Sequence, residues 1–132
     1  MRKIANSKRR LKKEKKKFKR KLVLFINNEN INVSHQKVCF IILFRIYMRV
    51  FRLKKYFDDI TIHQVDHLII DGHHRYIAYK IAQKKFAQRS GTKCFHQQPP
   101  YKRIKDLIVD YEEDWDKNSN FKRDNEYCKL DF

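Results

Sequence analysis

The residues best suited to chemistry lie in one short run, Asp71-Gly72-His73-His74-Arg75. Three branched apolar residues, Leu68-Ile69-Ile70, precede it and predict a buried strand, which Asp71-Gly72 ends. Apolar residues then recur at helical spacing from Ile77 to Ala82 and predict a helix. The first turn of a helix presents free backbone N–H groups and the positive end of the helix dipole. This junction therefore predicts a site for an anion such as a phosphate.

The side chains of this run are candidates for binding phosphate, moving a proton, capping the helix or holding a metal ion. Arg75 has a fork of donors that matches phosphate, and His74 could donate to a phosphate or move a proton near neutral pH. Asp71 could cap the helix, or hold a magnesium or manganese ion. His73 and His74 point about 100° apart on a helix, which argues against a shared zinc ion. Lys80, in the same helix, is a further phosphate-binding candidate.

The elements that position the run are predicted from the neighbouring pattern. Residues 60–65 alternate as a strand, and Asp66-His67 forms the turn of a hairpin into residues 68–70. The helix after Gly72 is expected to reach about Ala87. Further short strands are expected at 31–33, 93–96 and 107–109.

Residues 36–57 predict the longest apolar helix, with Arg45, Arg49 and Arg52 along one face. One interpretation is a core helix whose exposed face is basic, because a small domain needs a helix to cover its sheet. The alternative is a helix that lies on an anionic membrane.

The length, net charge and cysteine content of the chain limit the classes of protein to which it can belong. A chain of 132 residues predicts one small domain with tails, and its formal charge of +17 favours polyanions such as nucleic acid, nucleotides or an anionic membrane surface. The three cysteines form no CxxC pair, which argues against a zinc site or a disulfide framework and favours a reducing, cytoplasmic compartment. No signal peptide or membrane-spanning stretch is expected from the apolar runs.

Residues 1–27 predict a basic, flexible arm, followed by a single domain over residues 28–132. Blocks of like charge repel and usually stay disordered until they meet a polyanion. The arm is either a solvated tail or a contact to phosphates, and it is expected to become helical when bound. Its nucleic-acid-contacting residues are predicted to be Lys12, Lys13, Lys16, Lys17 and Arg20.

The run from Asp71 to Ala78 resembles the G-x-H-R-x-x-A signature of the ParB/sulfiredoxin superfamily, most closely its ParB-like nuclease domains. The resemblance implies an α+β fold with a small mixed sheet and packed helices. It implies that Gly72, His74 and Arg75 hold phosphates, and that Ala78 packs the helix against the sheet. His73 stands where sulfiredoxins have a cysteine and partition proteins a glutamate, which argues against reductase activity and CTP hydrolysis.

The resulting hypothesis is a ParB-like nuclease domain of bacterial or phage type that acts on DNA. His73, His74 and Arg75 would be the catalytic residues at the scissile phosphate, and Asp71 would hold the divalent cation. The alternative is a non-catalytic nucleotide- or DNA-binding module with the same fold. A membrane-surface protein is a third and weaker hypothesis. The chain could also be a domain delivered from a secreted toxin.

Overall fold

The computed structural model describes residues 2–53, 59–83, 85, 88–93 and 97–112, with the backbone alone at residues 2–8 and 53. The chain is a mixed α+β fold, as the sequence predicts. The helices within these residues are α1 (Arg2–Asn28), α2 (Phe40–Leu53) and α3 (His73–Ile81), with a 3₁₀ turn at Ile104–Asp106. The strands are β1 (Asn32–Val33), β2 (Lys37–Cys39), β3 (Ile60–His63), β4 (Leu68–Asp71), β5 (Gln88–Ser90), β6 (Lys102–Arg103) and β7 (Ile108–Asp110).

Five strands form the main sheet in the order β5-β3-β4-β1-β6. The predicted hairpin forms the antiparallel pair β3–β4, with Ile62 opposite Ile69. β1 runs parallel to β4, while β5 runs parallel to β3 on the other side. The short strands β2 and β7 pair in parallel as a second sheet. The strand that carries the candidate site, β4, is therefore held between two neighbours.

Helix α2 is the core helix that the sequence predicts, but it is shorter than expected. A strand, β2, occupies the start of the predicted helical segment. Ile42, Phe44 and Ile46 are buried, as are most residues of this helix. Arg45 and Arg49 are half-buried, and Arg52 bonds to Glu14 of α1 at 3.0 Å. The arginine stripe is therefore only partly exposed, and one of its members is paired with α1.

The basic N-terminal segment differs from the expected flexible arm, because residues 2–28 form one continuous helix. Phe18, Leu22 and Ile26 recur every four residues and are buried in the core. The Phe18 ring lies 4.7 Å from that of Tyr47 on α2, centroid to centroid. Burying each such side chain contributes about 2 kcal/mol, which offsets the mutual repulsion of the neighbouring lysines. The burial of apolar side chains at helical spacing therefore stabilises this segment as a helix despite its run of like charges.

The predicted end of α3 is wrong, and the predicted strand at residues 93–96 is not tested. Helix α3 ends at Ile81 instead of about Ala87, and the short strand β5 follows at Gln88–Ser90. The strand predicted at residues 93–96 falls mainly on positions 94–96, which lie outside the described residues, as do Cys94 and Cys128. Across the described ranges, no helix combines the length and apolar character needed to cross a membrane.

Candidate phosphate-binding turn and basic helix

Gly72 makes the turn from β4 into α3 and has a left-handed backbone, with φ of +92°. A Cβ atom at this position would lie 2.9 Å from Cδ1 of Ile60 and 3.0 Å from Nη2 of Arg75. The glycine is thus required by the backbone angle and by the side chains that pack against it. The predicted strand–glycine–helix junction is present, and the space beside Gly72 is filled by the protein's own arginine.

Arg75 reaches back over the turn, and its Nη2 donates a 3.0 Å hydrogen bond to Oδ2 of Asp71. The arginine side chain is nearly buried, whereas the Asp71 side chain is 71% exposed. Gly72 occupies the N-cap position of α3, so no side chain caps the helix there. Asp71 therefore serves as the partner of Arg75, an arrangement that neither the capping nor the metal interpretation includes.

His73 is enclosed by the loop that follows β1. Its side chain is only 1% exposed, and its Nε2 accepts a 3.1 Å hydrogen bond from the backbone N–H of Ser34. The His35 ring stacks on it with centroids 4.0 Å apart and planes 10° apart. Burial, reinforced by His35 and His74, lowers the pKa of His73 to about 2. The ring is therefore neutral, and in this arrangement it has no open path to a scissile phosphate.

The loop that follows β1 is also joined to the end of β4 by hydrogen bonds. The Ser34 hydroxyl donates to the backbone oxygen of Ile69 at 2.9 Å. The Gln97 amide, itself buried, donates to Ser34 Oγ and to the backbone oxygen of Ile70, each at 3.2 Å. Ser34 and His35 cover His73, and Gln97 holds Ser34 beside β4. The sequence analysis did not identify any of these three residues. No local signal marks them, because they are brought to the turn by long-range packing.

His74 is half-buried on the other side of the turn. Its Nε2 accepts a 2.9 Å hydrogen bond from the backbone N–H of Cys39. Burial is the main reason that the pKa of His74 falls to about 4, and His35 and Arg75 lower it further. With Nε2 as the acceptor, Nδ1 carries the remaining proton. His74 can therefore offer one neutral hydrogen-bond donor, but it does not carry a positive charge near neutral pH.

Lys80 is not brought to the turn. It lies near the C-terminal end of α3, where its Nζ is 5.6 Å from the centroid of the Tyr76 ring. Asp71, the predicted metal ligand, is likewise not joined by suitable partners. The described ranges contain no group of three His, Cys, Asp or Glu side chains placed to hold a metal ion. Within those ranges, Asp71 therefore has no pair of such side chains beside it that would complete a metal site at the turn.

The predicted nucleic-acid-contacting residues are all exposed on α1, opposite the buried side of the helix. At about 3.6 residues per turn, Lys12, Lys16 and Arg20 recur on one side, while Phe18 and Leu22 face the core. The single acid of this segment, Glu14, is bonded to Arg52. We call the following set the basic face of α1: Lys12, Lys13, Lys16, Lys17 and Arg20.

No protein-family model, curated protein or solved structure matches this chain. The resemblance to the ParB/sulfiredoxin superfamily accordingly depends on the DGHHR motif and its position between a strand and a helix.

Proposed function

We propose that this protein binds nucleic acid through the basic face of α1, without catalysing a reaction on it. The observation that carries the proposal is the arrangement of Lys12, Lys13, Lys16, Lys17 and Arg20 on one exposed side of a helix whose other side is in the core. Anchoring through Phe18 and Leu22 holds the helix on the domain, so the five charges move as one surface. A flexible arm would have to lose conformational freedom on binding, and this helix does not.

The dimensions of the basic face suit a nucleic-acid backbone. From Lys12 to Arg20 the helix rises about 12 Å, and a duplex carries about one negative charge per 1.7 Å of its axis. Lysine and arginine side chains that neutralise phosphates release condensed counterions, which drives binding independently of base sequence. The formal charge of +17 extends this attraction beyond the contact itself.

The strand–turn–helix of residues 71–75 has a secondary role in this proposal. In this role, the N–H groups of the first turn of α3 and the Nδ1–H of His74 would be the donors to one phosphate oxygen. Burial of His73 and the lowered pKa values of both histidines argue against acid–base chemistry at this turn near neutral pH. We propose the relationship to the ParB/sulfiredoxin superfamily on the same grounds, since the motif joins β4 to α3 and follows the β3–β4 hairpin.

A nuclease is the second candidate function. One observation favours it: the Asp71 carboxylate is 71% exposed at the turn, with Arg75 beside it. A carboxylate and a guanidinium can help to orient a water molecule and stabilise charge in phosphodiester cleavage. The candidate needs Asp71 to exchange its bond with Arg75 for a contact to the reacting groups.

The test compares two variants that lose the same charge. The first replaces the five residues of the basic face with glutamine, a good helix former. The second replaces five other exposed basic residues, Lys85, Arg89, Lys102, Arg103 and Lys105, in the same way. Fluorescence anisotropy with a labelled duplex is expected to show more than about tenfold weaker binding for the first variant only. Equal losses in both variants would contradict a localised binding face.

Supercoiled plasmid incubated with the wild type and magnesium or manganese separates the two candidate functions. We expect retarded but uncut plasmid. Metal-dependent nicking that disappears in Asp71→Asn would replace the binding proposal with the nuclease.

A further inference from the structure

A groove of about 440 Å³ lies between α1, α2 and α3, away from the turn at Gly72. Its floor is apolar and receives side chains from each of these helices. Phe25 comes from α1, Phe51 from α2, and Ile81 from α3. The remaining lining residues are Lys21, Leu24, Tyr47, Lys80, Ala82 and Gln83.

Two large apolar side chains stand at this groove in contact with solvent. Leu24 is 65% exposed and Phe51 is 48% exposed. Single exposed apolar residues are common on protein surfaces, but here they adjoin a concave apolar floor. Covering Leu24 and Phe51 together would remove apolar surface from water, which is a favourable source of binding free energy.

The groove also has two positive charges. Lys21 Nζ lies 3.2 Å from the Tyr47 hydroxyl and 5.8 Å from the centroid of the Phe51 ring. Lys80 Nζ lies 5.6 Å from the centroid of the Tyr76 ring. Lys21 is on α1 and Lys80 on α3, so the ammonium groups belong to different helices that border the groove. A ligand that is apolar in its centre and negative at its edges matches this arrangement.

We propose that the groove binds an acidic amphipathic helix of a partner protein. An apolar side chain of that helix enters between Leu24 and Phe51, and carboxylates beside it pair with Lys21 and Lys80. Recognition of an amphipathic helix in an apolar groove is a recurrent mode of peptide binding. The charge pattern selects an acidic occupant over other helices.

The charge of the chain also argues against two other occupants. Two copies of this protein would bring together formal charges of +17 each, which opposes self-association through this groove. The phosphates of a nucleic acid could pair with Lys21 and Lys80, but a nucleic-acid backbone has no aliphatic group to pack on the apolar floor of the groove. An acidic protein segment satisfies both the charge and the apolar surface.

The probe for the experiment is a labelled synthetic helical peptide with a leucine stripe flanked by glutamates, titrated with the full chain. Leu24→Asp and Lys80→Glu are each expected to weaken binding by at least about tenfold. The matched controls are Val23→Asp and Lys105→Glu. Val23 is 46% exposed on α1 but does not line the groove, and Lys105 is an exposed lysine outside it. The controls are expected to change binding by less than about twofold.

Control peptides separate the two components of recognition. Replacing the leucines with alanine, or the glutamates with lysine, is expected to abolish binding. The proposal is overturned if the original peptide does not bind, if the control variants lose as much affinity as the groove variants, or if the alanine peptide binds equally well. It is also overturned if Leu24→Asp weakens binding of a DNA duplex and not of the peptide, because the groove would then belong to the nucleic-acid surface.

Discussion

The backbone N–H of Cys39 donates a 2.9 Å hydrogen bond to Nε2 of His74, which joins the end of β2 to the first turn of α3. This bond requires a lone pair on Nε2, so it exists only while the imidazole is neutral. Burial lowers the pKa of His74 to about 4 and thereby maintains that state at neutral pH. His73 is held neutral in the same way, because burial lowers its pKa and the neighbouring His35 and His74 lower it further.

The two histidines predict a loss of stability in mild acid. A histidine in the unfolded chain has a pKa of about 6.5, so as the pH falls the unfolded state takes up protons before the folded state does. The contribution of His74 is complete above about pH 6.5 and is lost progressively as the pH falls to about 4, by about 3 kcal/mol in total. The measurement is the free energy of unfolding in urea at a series of pH values across this window.

Two variants identify the source of this pH dependence. His74→Gln retains a hydrogen-bond acceptor but does not titrate, so it is expected to reduce the pH slope by about one proton. The control is His67→Asn, which changes an exposed histidine in the β3–β4 turn and is expected to match the wild type. A wild-type slope in His74→Gln would contradict the assignment.

Gly72→Ala is expected to destabilise the fold by about 1–3 kcal/mol, because the new Cβ meets Ile60 and Arg75 and the backbone has a positive φ. Gly72→Asn tolerates the backbone angle better but still introduces the Cβ, so its loss is expected to be smaller than that of alanine and greater than zero. Urea unfolding measures both. If both variants are as stable as the wild type, the close packing of Arg75 against Gly72 is not a constraint.

The local part of the fold is readable from the sequence. The alternation over residues 60–65, the Asp66-His67 turn and the Asp71-Gly72 break predict β3, β4 and the start of α3 because each depends on neighbouring residues. The ends are less predictable. Helix α3 stops at Ile81, and the pattern beyond it does not show this.

The remaining features depend on contacts between distant parts of the chain. The sequence predicts His73 to be a catalytic residue at a phosphate, but in the structure Ser34 and His35 cover it. These two residues lie 39 and 38 positions earlier in the chain. The charge run of α1 reads as a flexible arm, although Phe18, Leu22 and Ile26 mark a buried face at helical spacing. Those residues were the available signal, and their burial outweighs the repulsion between neighbouring lysines.

Asp71→Asn tests what the strand–turn–helix contributes. The ion pair with Arg75 is formed by a largely exposed carboxylate, so the stability change is expected to be below about 1 kcal/mol. If a phosphate binds at this turn, removal of the negative charge strengthens duplex binding by up to about fivefold. Anisotropy at low salt measures it. Weaker binding in Asp71→Asn would contradict a phosphate at this position.

The most direct test of the central claim is the salt dependence of duplex binding. The basic face of α1 supplies five phosphate contacts in this account, and each contributes about −0.9 to the slope of log Kobs against log salt for a B-form duplex. Replacing Lys12, Lys13, Lys16, Lys17 and Arg20 with glutamine is therefore expected to make the slope shallower by about four to five. The variant with substitutions at Lys85, Arg89, Lys102, Arg103 and Lys105 is expected to keep nearly the wild-type slope. An unchanged slope in the α1 variant, or an equal change in both, would contradict the assignment of nucleic-acid binding to this helix.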